Sequence, residues 1–253
     1  MDLPEIGLGT MGTEEPDTIA RAIELGYRHL DTAQIYDNEA VVGRGIEQAD
    51  VPREELIVAT KVWADSLAPE DVRRSTEESL DRLGVDFVDL LYVHRPIETY
   101  DPETTLPAFD SIREEGLIGN VGVSNFTTDQ LDEARKVLDS PIAALQVEMH
   151  PLYQQSELLQ YARDDGHALV AYSPLAQGAV FENPELQEIA TKYETTPVQV
   201  SLAWLAGKEN VVSIPKASSM EHLEANLAAA DLRLDPEDYE RIGGIESGEK
   251  LFE

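Results

Sequence analysis

The stretch His29-Leu30-Asp31-Thr32-Ala33-Gln34-Ile35-Tyr36-Asp37-Asn38-Glu39 decides the fold, because further polar residues succeed it at a steady interval. Asp31 ends a short apolar run. Lys61 lies 30 residues further on near the end of another, and His94 comes after a third, 33 residues beyond. Roughly thirty residues is the length of one strand-plus-helix unit. An acid, a phenol (Tyr36), an amine and an imidazole are thereby gathered at one end of a parallel sheet, where together they can handle protons. Singly, each has a plainer role: Asp31 and Lys61 as a buried ion pair, Tyr36 as a packing aromatic, His94 as a hydrogen-bonded core histidine. The shared spacing favours a common site.

Working outward, apolar runs rich in β-branched residues alternate with helix-length amphipathic segments. The expected strands are 6–9, 27–31, 57–62, 88–93, 118–123, 144–148, 168–172 and 211–214. The expected helices are 39–48, 69–83, 106–115, 128–138, 156–165 and 220–230, with two more, 184–193 and 197–206, sharing the long interval before the last strand. Thr128 is read as a helix cap, Pro69 as a first-turn residue, and Gly84 and Gly116 as stops. This pattern predicts an α/β fold, a (β/α)8 TIM barrel of one domain over residues 1–253, with one extra helix, short termini and its chemistry at the C-terminal ends of the strands.

An open doubly wound sheet is the alternative. Gly7-Leu8-Gly9-Thr10-Met11-Gly12 matches G-x-G-x-x-G, and Asp31 lies 19 residues after the last of these glycines. The strand before it is short and carries Pro4. Glu14, Glu15 and Asp17 would put acids where a pyrophosphate should sit. The motif is read as a coincidence.

Composition narrows the function. The absence of cysteine removes disulfides, thiolate nucleophiles and thiolate-bound metals. A net charge of −31, from 50 acidic and 19 basic residues, repels phosphate backbones and anionic lipid, so neither nucleic acid nor membrane is an expected partner. The acids are scattered through the helices, and lysines are few (six against thirteen arginines), which points to a surface adapted to high salt. Apolar runs are strand-sized, and Met1-Asp2-Leu3-Pro4-Glu5 lacks the pattern of a secretion signal, so a cytoplasmic monomer is expected. His29, His150 and His167 have no i, i+3 or i+4 histidine partner, so no metal site is expected.

Reduction of a carbonyl by hydride needs such a proton-handling set. The oxygen that becomes an alkoxide must receive a proton from a group within hydrogen-bond reach. A tyrosine, with an ordinary pKa of about 10, does this efficiently only beside an ammonium that favours the phenolate. Lys61 is placed to supply that charge, Asp31 to hold Lys61 charged, and His94 to orient the substrate oxygen.

Several segments, taken in order, closely resemble the aldo-keto reductase family. They are Gly26-Tyr27-Arg28-His29-Leu30-Asp31-Thr32-Ala33-Gln34-Ile35-Tyr36-Asp37-Asn38-Glu39, Thr60-Lys61-Val62-Trp63, Leu91-Tyr92-Val93-His94-Arg95-Pro96 and Gly122-Val123-Ser124-Asn125-Phe126. Gln146-Val147-Glu148-Met149-His150-Pro151, Ala171-Tyr172-Ser173-Pro174-Leu175 and Ile214-Pro215-Lys216 continue the match. The likeness is to the bacterial and archaeal diketogluconate and methylglyoxal reductase branch. It implies a barrel that reduces small aldehydes or ketones with NAD(P)H, with Tyr36 as general acid and Asp31, Lys61 and His94 as its partners.

By the same resemblance, Ser124, Asn125 and Gln146 hold the nicotinamide carboxamide, Tyr172 stacks on its ring, and Ser173 and Leu175 contact the pyrophosphate. Gly9, Thr10, Asp31, Ile214, Lys216, Ala217, Ser218, His222 and Asn226 complete the cofactor set, and Trp63 joins His94 in the substrate pocket. A non-catalytic barrel that keeps a dinucleotide as a sensor or structural part is the rival reading.

The chain departs from the family pattern at three points. The residue after His94, usually Trp, is Arg95. His222 stands where an arginine usually clamps the 2′-phosphate, and a commonly acidic position nearby is Ala225. Arginine offers a permanent forked contact whereas histidine is mostly neutral at pH 7, so NADPH is favoured through Lys216 while NADH stays open. The end of the chain at Phe252-Glu253 leaves little for a long pocket-shaping loop, which implies an open pocket.

Overall fold

The computed structural model describes residues 1–245, 248, 250 and 251; Phe252 and Glu253 lie outside the described residues. Eight strands run β1 (Leu8–Gly9), β2 (His29–Asp31), β3 (Ile57–Val62), β4 (Val88–Val93), β5 (Ile118–Ser124), β6 (Ile142–Glu148), β7 (Ala168–Tyr172) and β8 (Val211–Ser213). They lie in sequence order, each parallel to the next. A parallel bridge between Ile6 and Ser213 joins the last strand to the first, with the Gly7 amide donating to the Ser213 carbonyl at 2.8 Å. The sheet is thus curled into the (β/α)8 barrel that the spacing predicts.

The helices are α1 (Pro16–Leu25), α2 (Glu39–Gln48), α3 (Pro69–Leu83), α4 (Pro102–Glu114), α5 (Thr128–Val137), α6 (Ser156–Asp165), α7 (Pro184–Lys192), α8 (Pro197–Ala206), α9 (Met220–Ala228) and α10 (Pro236–Gly243). Both α7 and α8 fall between β7 and β8, so the expected extra helix is present. Among the described residues no helix is long and apolar enough to cross a membrane.

The strands are buried on both faces, which is why they read as continuous apolar runs. In β4, Leu91 and Val93 pack outward against the helices with Ile19, Val42 and Val72. Leu90 and Tyr92, one residue out of phase, fill the barrel interior with Ala59, Ala144, Val170 and Val212. Glycines make room in that interior. A Cβ on Gly122 would come within 2.5 Å of the Tyr92 ring, and one on Gly7 within 2.6 Å of the His29 ring. A Cβ on Gly9 would lie 2.6 Å from the Ile214 carbonyl, so two glycines of the G-x-G-x-x-G stretch serve barrel closure.

Three local expectations need correction. The cap of α5 is Thr127, not Thr128: Thr127 Oγ1 accepts from the Gln130 amide and the Gln130 side chain accepts from the Thr127 amide, a reciprocal box that requires Gln three residues on. Helix α4 starts at Pro102, four residues before the expected Leu106, because Asp101 caps it and Pro102 suits its first position. Helices α1 and α10 have no counterpart among the expected elements. In α10 Ile242 is the one buried apolar side chain, too little to leave a periodic signal.

Candidate active site

The polar side chains that come after β2 build the mouth of the barrel. The Thr32 hydroxyl donates to Asn38 Oδ1 at 3.0 Å, and Asn38 Nδ2 donates to the Thr10 carbonyl at 2.7 Å. Gln34 Nε2 donates to the Ser75 carbonyl and to Ser79 Oγ on α3, both at 3.0 Å, while its Oε1 accepts from the Trp63 amide at 3.1 Å. Buried Glu39 accepts from the Thr60 hydroxyl at 2.5 Å and pairs with Arg82. These bonds fix the short 3₁₀ turn Gln34–Tyr36, which delivers Tyr36 over the end of β3.

Beneath that turn lies a buried ion pair. Lys61 Nζ donates to Asp31 Oδ1 at 2.5 Å and to the Thr32 carbonyl at 2.7 Å. Gln146 Nε2 donates to the other carboxylate oxygen, Asp31 Oδ2, at 2.7 Å. Lys61 and Asp31 are 0% and 1% exposed, so this attraction acts with little screening by water. Burial alone would lower the pKa of Lys61, but Asp31 and the hydrogen-bonded Tyr36 hydroxyl outweigh it and hold the ammonium above its ordinary value. Its Nζ sits 5.0 Å from the centre of the Tyr36 ring. An acid, an ammonium and a phenol are therefore connected in line from the barrel interior to its mouth.

His94 faces the same spot. Its ring meets the Trp63 ring edge-on at 4.9 Å and the Tyr36 ring at 6.1 Å. Burial, then the charges of Lys61 and Arg95, lower its pKa to about 3, so it is a neutral imidazole through the physiological range. Its backbone carbonyl accepts from Asn125 Nδ2 at 3.1 Å. Asn125 sits in the left-handed region (φ 62°), and its Oδ1 accepts from the Tyr172 hydroxyl at 2.9 Å. Burial pushes the Tyr172 phenol up to about 12, leaving a neutral ring on the cavity wall.

All of this opens on one cavity of about 610 Å³. Asp31, Tyr36, Trp63 and His94 line one end of it, while Lys61 lies behind them, out of contact with it. Gly9, Thr10, Ser124, Asn125, Gln146, Tyr172, Ser173, Leu175, Ile214 and Lys216, which the resemblance assigns to the cofactor, also line it. Ala217, Ser218, His222 and Asn226 do not. Ala217 and Asn226 are buried, whereas Ser218 and His222 are exposed where the chain runs past the Lys216 rim into the first turn of α9.

Sequence reasoning misses Met11, Ile35, Pro174, Gln177, Gly178 and Pro215, which complete the lining, and marks Arg95 only as a departure from the family pattern. Gln177-Gly178 has a legible signal, a glycine in the longest connection, and both adopt left-handed conformations (φ 52° and 98°). Met11 and Ile35 have none, because they are exposed apolar residues, one on a loop and one in the 3₁₀ turn. Among the described residues no three His, Asp or Glu side chains cluster to hold a metal ion.

Residues 5–247 match the model of the "Aldo/keto reductase family". The methylglyoxal reductase DkgB of Escherichia coli O157:H7 is 37% identical over 99% of this chain and 96% of its own length. An aldo-keto reductase of Mycolicibacterium smegmatis is 36% identical over 98% and 92%. Among solved structures, the aldo-keto reductase MGS-M4 from a deep-sea metagenome library superposes with a TM-score of 0.95 at 35% identity, covering 100% of this chain and 95% of that one.

Proposed function

The chain belongs to the aldo/keto reductase family and is an NAD(P)H-dependent oxidoreductase that reduces the carbonyl group of aldehydes and ketones; on that premise we propose the roles of its residues, with Tyr36 as the proton donor. The donor set fits a nicotinamide dinucleotide. Side-chain amides of Asn125 and Gln146 and the hydroxyl of Ser124 offer the mixed donors and acceptors that a carboxamide needs, and the neutral Tyr172 ring offers a flat apolar face. Ser173 and Leu175 suit the pyrophosphate. Lys216, Ala217, Ser218, His222 and Asn226 suit the adenosine end. When bound, the reduced cofactor supplies a hydride to the carbonyl carbon.

The protein's own residues manage the oxygen. Tyr36 and the neutral His94 hold it from two sides, His94 by donating an N–H that a low pKa leaves in place without a charge. As negative charge builds on the oxygen, Tyr36 gives up its proton. The Lys61 ammonium stabilises the phenolate left behind, and Asp31, itself held by Gln146, keeps Lys61 charged and in position. Trp63 closes the pocket beside His94. The observation that carries this reading is the buried Lys61–Asp31 pair directed at Tyr36 on the wall of the cavity; a binding-only barrel has no use for a charged amine beneath a phenol.

NADPH is the favoured cofactor because Lys216 offers a cation at the rim, and NADH remains usable because exposed His222 cannot offer a forked guanidinium. A small dicarbonyl is the first substrate to try, since one relative is named a methylglyoxal reductase. The test is carbonyl-dependent oxidation of NADPH and of NADH over a panel of small aldehydes and ketones. Turnover with several of them, faster with NADPH, is expected; a protein that binds the dinucleotide and turns over none would be a sensor instead.

The acidic surface supports a further reading, operation at high salt. A net charge of −31 repels itself, and molar salt screens that repulsion. The melting temperature is expected to climb from low salt to molar KCl, and a melting temperature indifferent to KCl would contradict it.

A further inference from the structure

Packing explains the ring of Tyr92 but not its hydroxyl. Tyr92 stands opposite Lys61 on β3 and Gly122 on β5, on the strand face that fills the barrel interior, and its ring lies against Gly122. It is 0% exposed and does not line the cavity, so it is no second proton donor. Phenylalanine would fill the same space without a polar oxygen to desolvate. Among the described residues that oxygen has no hydrogen-bond partner. Buried polar atoms are nearly always paired, and an unpaired one points to a use in another state of the protein.

Two polar groups act on the hydroxyl, the Asp31 carboxylate and the Gln146 side chain. Burial, then the charge of Asp31, raise the phenol well above its ordinary pKa, and the Gln146 amide opposes them only in part, so the group stays neutral. Gln146 is where the interior and the cavity meet. Its Nε2 donates to Asp31 Oδ2 at 2.7 Å, yet the residue also lines the cavity. A primary amide has two N–H donors and one carbonyl oxygen. One N–H is spent on Asp31. Turning the second inward leaves Oε1 to face the cavity as an acceptor, whereas turning the amide over would set Oε1 against the Asp31 carboxylate.

We propose that Tyr92 is a positioning residue for Gln146: its hydroxyl accepts the second Nε2 hydrogen when the dinucleotide is bound, so that Oε1 is held towards the cavity as the acceptor for the nicotinamide carboxamide. This rests on the assignment of Gln146 to the carboxamide made above. An oxygen left unpaired in the free protein gains its partner in the complex. Part of the cofactor affinity then depends on a group outside the cavity wall.

The test is Tyr92→Phe, read by binding and by folding. NADPH affinity, measured by titration calorimetry, is expected to fall by about 3- to 10-fold, the worth of one neutral hydrogen bond. Affinity for 2′,5′-ADP, which lacks the nicotinamide, is expected to stay at its wild-type value. The urea midpoint of the free protein is expected to hold or rise, because the variant removes an unpaired buried oxygen. In a Gln146→Ala background, itself weaker in NADPH binding, adding Tyr92→Phe is expected to change nothing further. A merely structural tyrosine gives the reverse pattern, a lower midpoint with NADPH affinity intact, and that result would overturn the proposal. So would equal weakening of NADPH and 2′,5′-ADP, or additive losses in the double variant. Wild-type NADPH affinity in Gln146→Ala sinks the carboxamide assignment as well, whereas wild-type affinity in Tyr92→Phe alone sinks only the role of Tyr92.

Discussion

The two ends of the cavity are built on opposite principles. At the reacting end Asp31 and Lys61 are sealed in the barrel, locked by three hydrogen bonds of 2.5–2.7 Å, and Tyr36 rides on a turn pinned to α3 through Gln34. At the far end Lys216 is exposed on the rim, and Ser218 and His222 are exposed just beyond it. A buried charge must be paired and held whether or not ligand is present, so the reacting end is pre-organised by folding itself. An exposed charge costs folding little and can be exchanged freely. On the proposed roles, chemistry is therefore tied to the stability of this barrel, while the choice of dinucleotide is only lightly tied to it.

Lys61→Met should break the contrast most severely. It leaves Asp31 buried without its cation, which costs about 3–5 kcal/mol of folding stability, and it removes the charge that stabilises the Tyr36 phenolate, for a loss of about 10²- to 10³-fold in kcat. Denaturant titration and steady-state kinetics read both together. Lys216→Met, by contrast, is expected to weaken dinucleotide binding and leave the denaturation midpoint where it was. Equal stability losses in the two variants would contradict the comparison.

The next effect appears with pH. His29 is fully buried in the barrel interior just below Asp31, and burial lowers its pKa to about 4. An unfolded imidazole takes up a proton near pH 6.5, so between pH 6.5 and 4 the unfolded chain binds more protons than the folded one. Stability is thus complete above pH 6.5 and declines as pH falls towards 4, by about 3 kcal/mol from this one group at 1.36 kcal/mol per unit. Urea midpoints from pH 7.5 to 4.5 measure it, and His29→Asn is expected to flatten the slope. An unchanged slope in that variant would assign the acid sensitivity elsewhere.

The smallest change should come at the open end. His222→Arg is expected to raise the NADPH-to-NADH ratio of kcat/KM by about tenfold, the worth of one exposed charge-assisted contact, with no change in melting temperature. A ratio that stayed put would remove His222 from the cofactor site.

The same contrast explains what is legible in the sequence. Strands β3 and β4 and helices α2, α3, α6 and α8 can be read to the residue, because their apolar phases are uninterrupted and proline, glycine or a polar cap marks their ends. The paired, buried residues of the reacting end are legible for a related reason: each ends or closely follows a strand, so their spacing repeats with the fold. Helix α1 does carry a legible signal, Pro16 in its first turn and the buried phase Ile19, Ala20, Ala22 and Ile23, that the strand spacing alone passes over; α10 escapes because it buries almost no apolar surface. Met11, Ile35 and Gln177 reach the cavity through the local conformation of connections and short 3₁₀ turns, which no periodicity encodes. Arg95 is visible as a break in the pattern; that it reaches the cavity wall is not.

The central claim is that Tyr36 gives the proton, and the Tyr36→Phe variant tests it most directly. NADPH binding, followed by quenching of protein fluorescence, should stay within about threefold of wild type, while carbonyl reduction falls by about 10²- to 10⁴-fold, the usual worth of a general acid. Reduction at near wild-type rates with binding intact would contradict the account, for it would mean that another group supplies the proton.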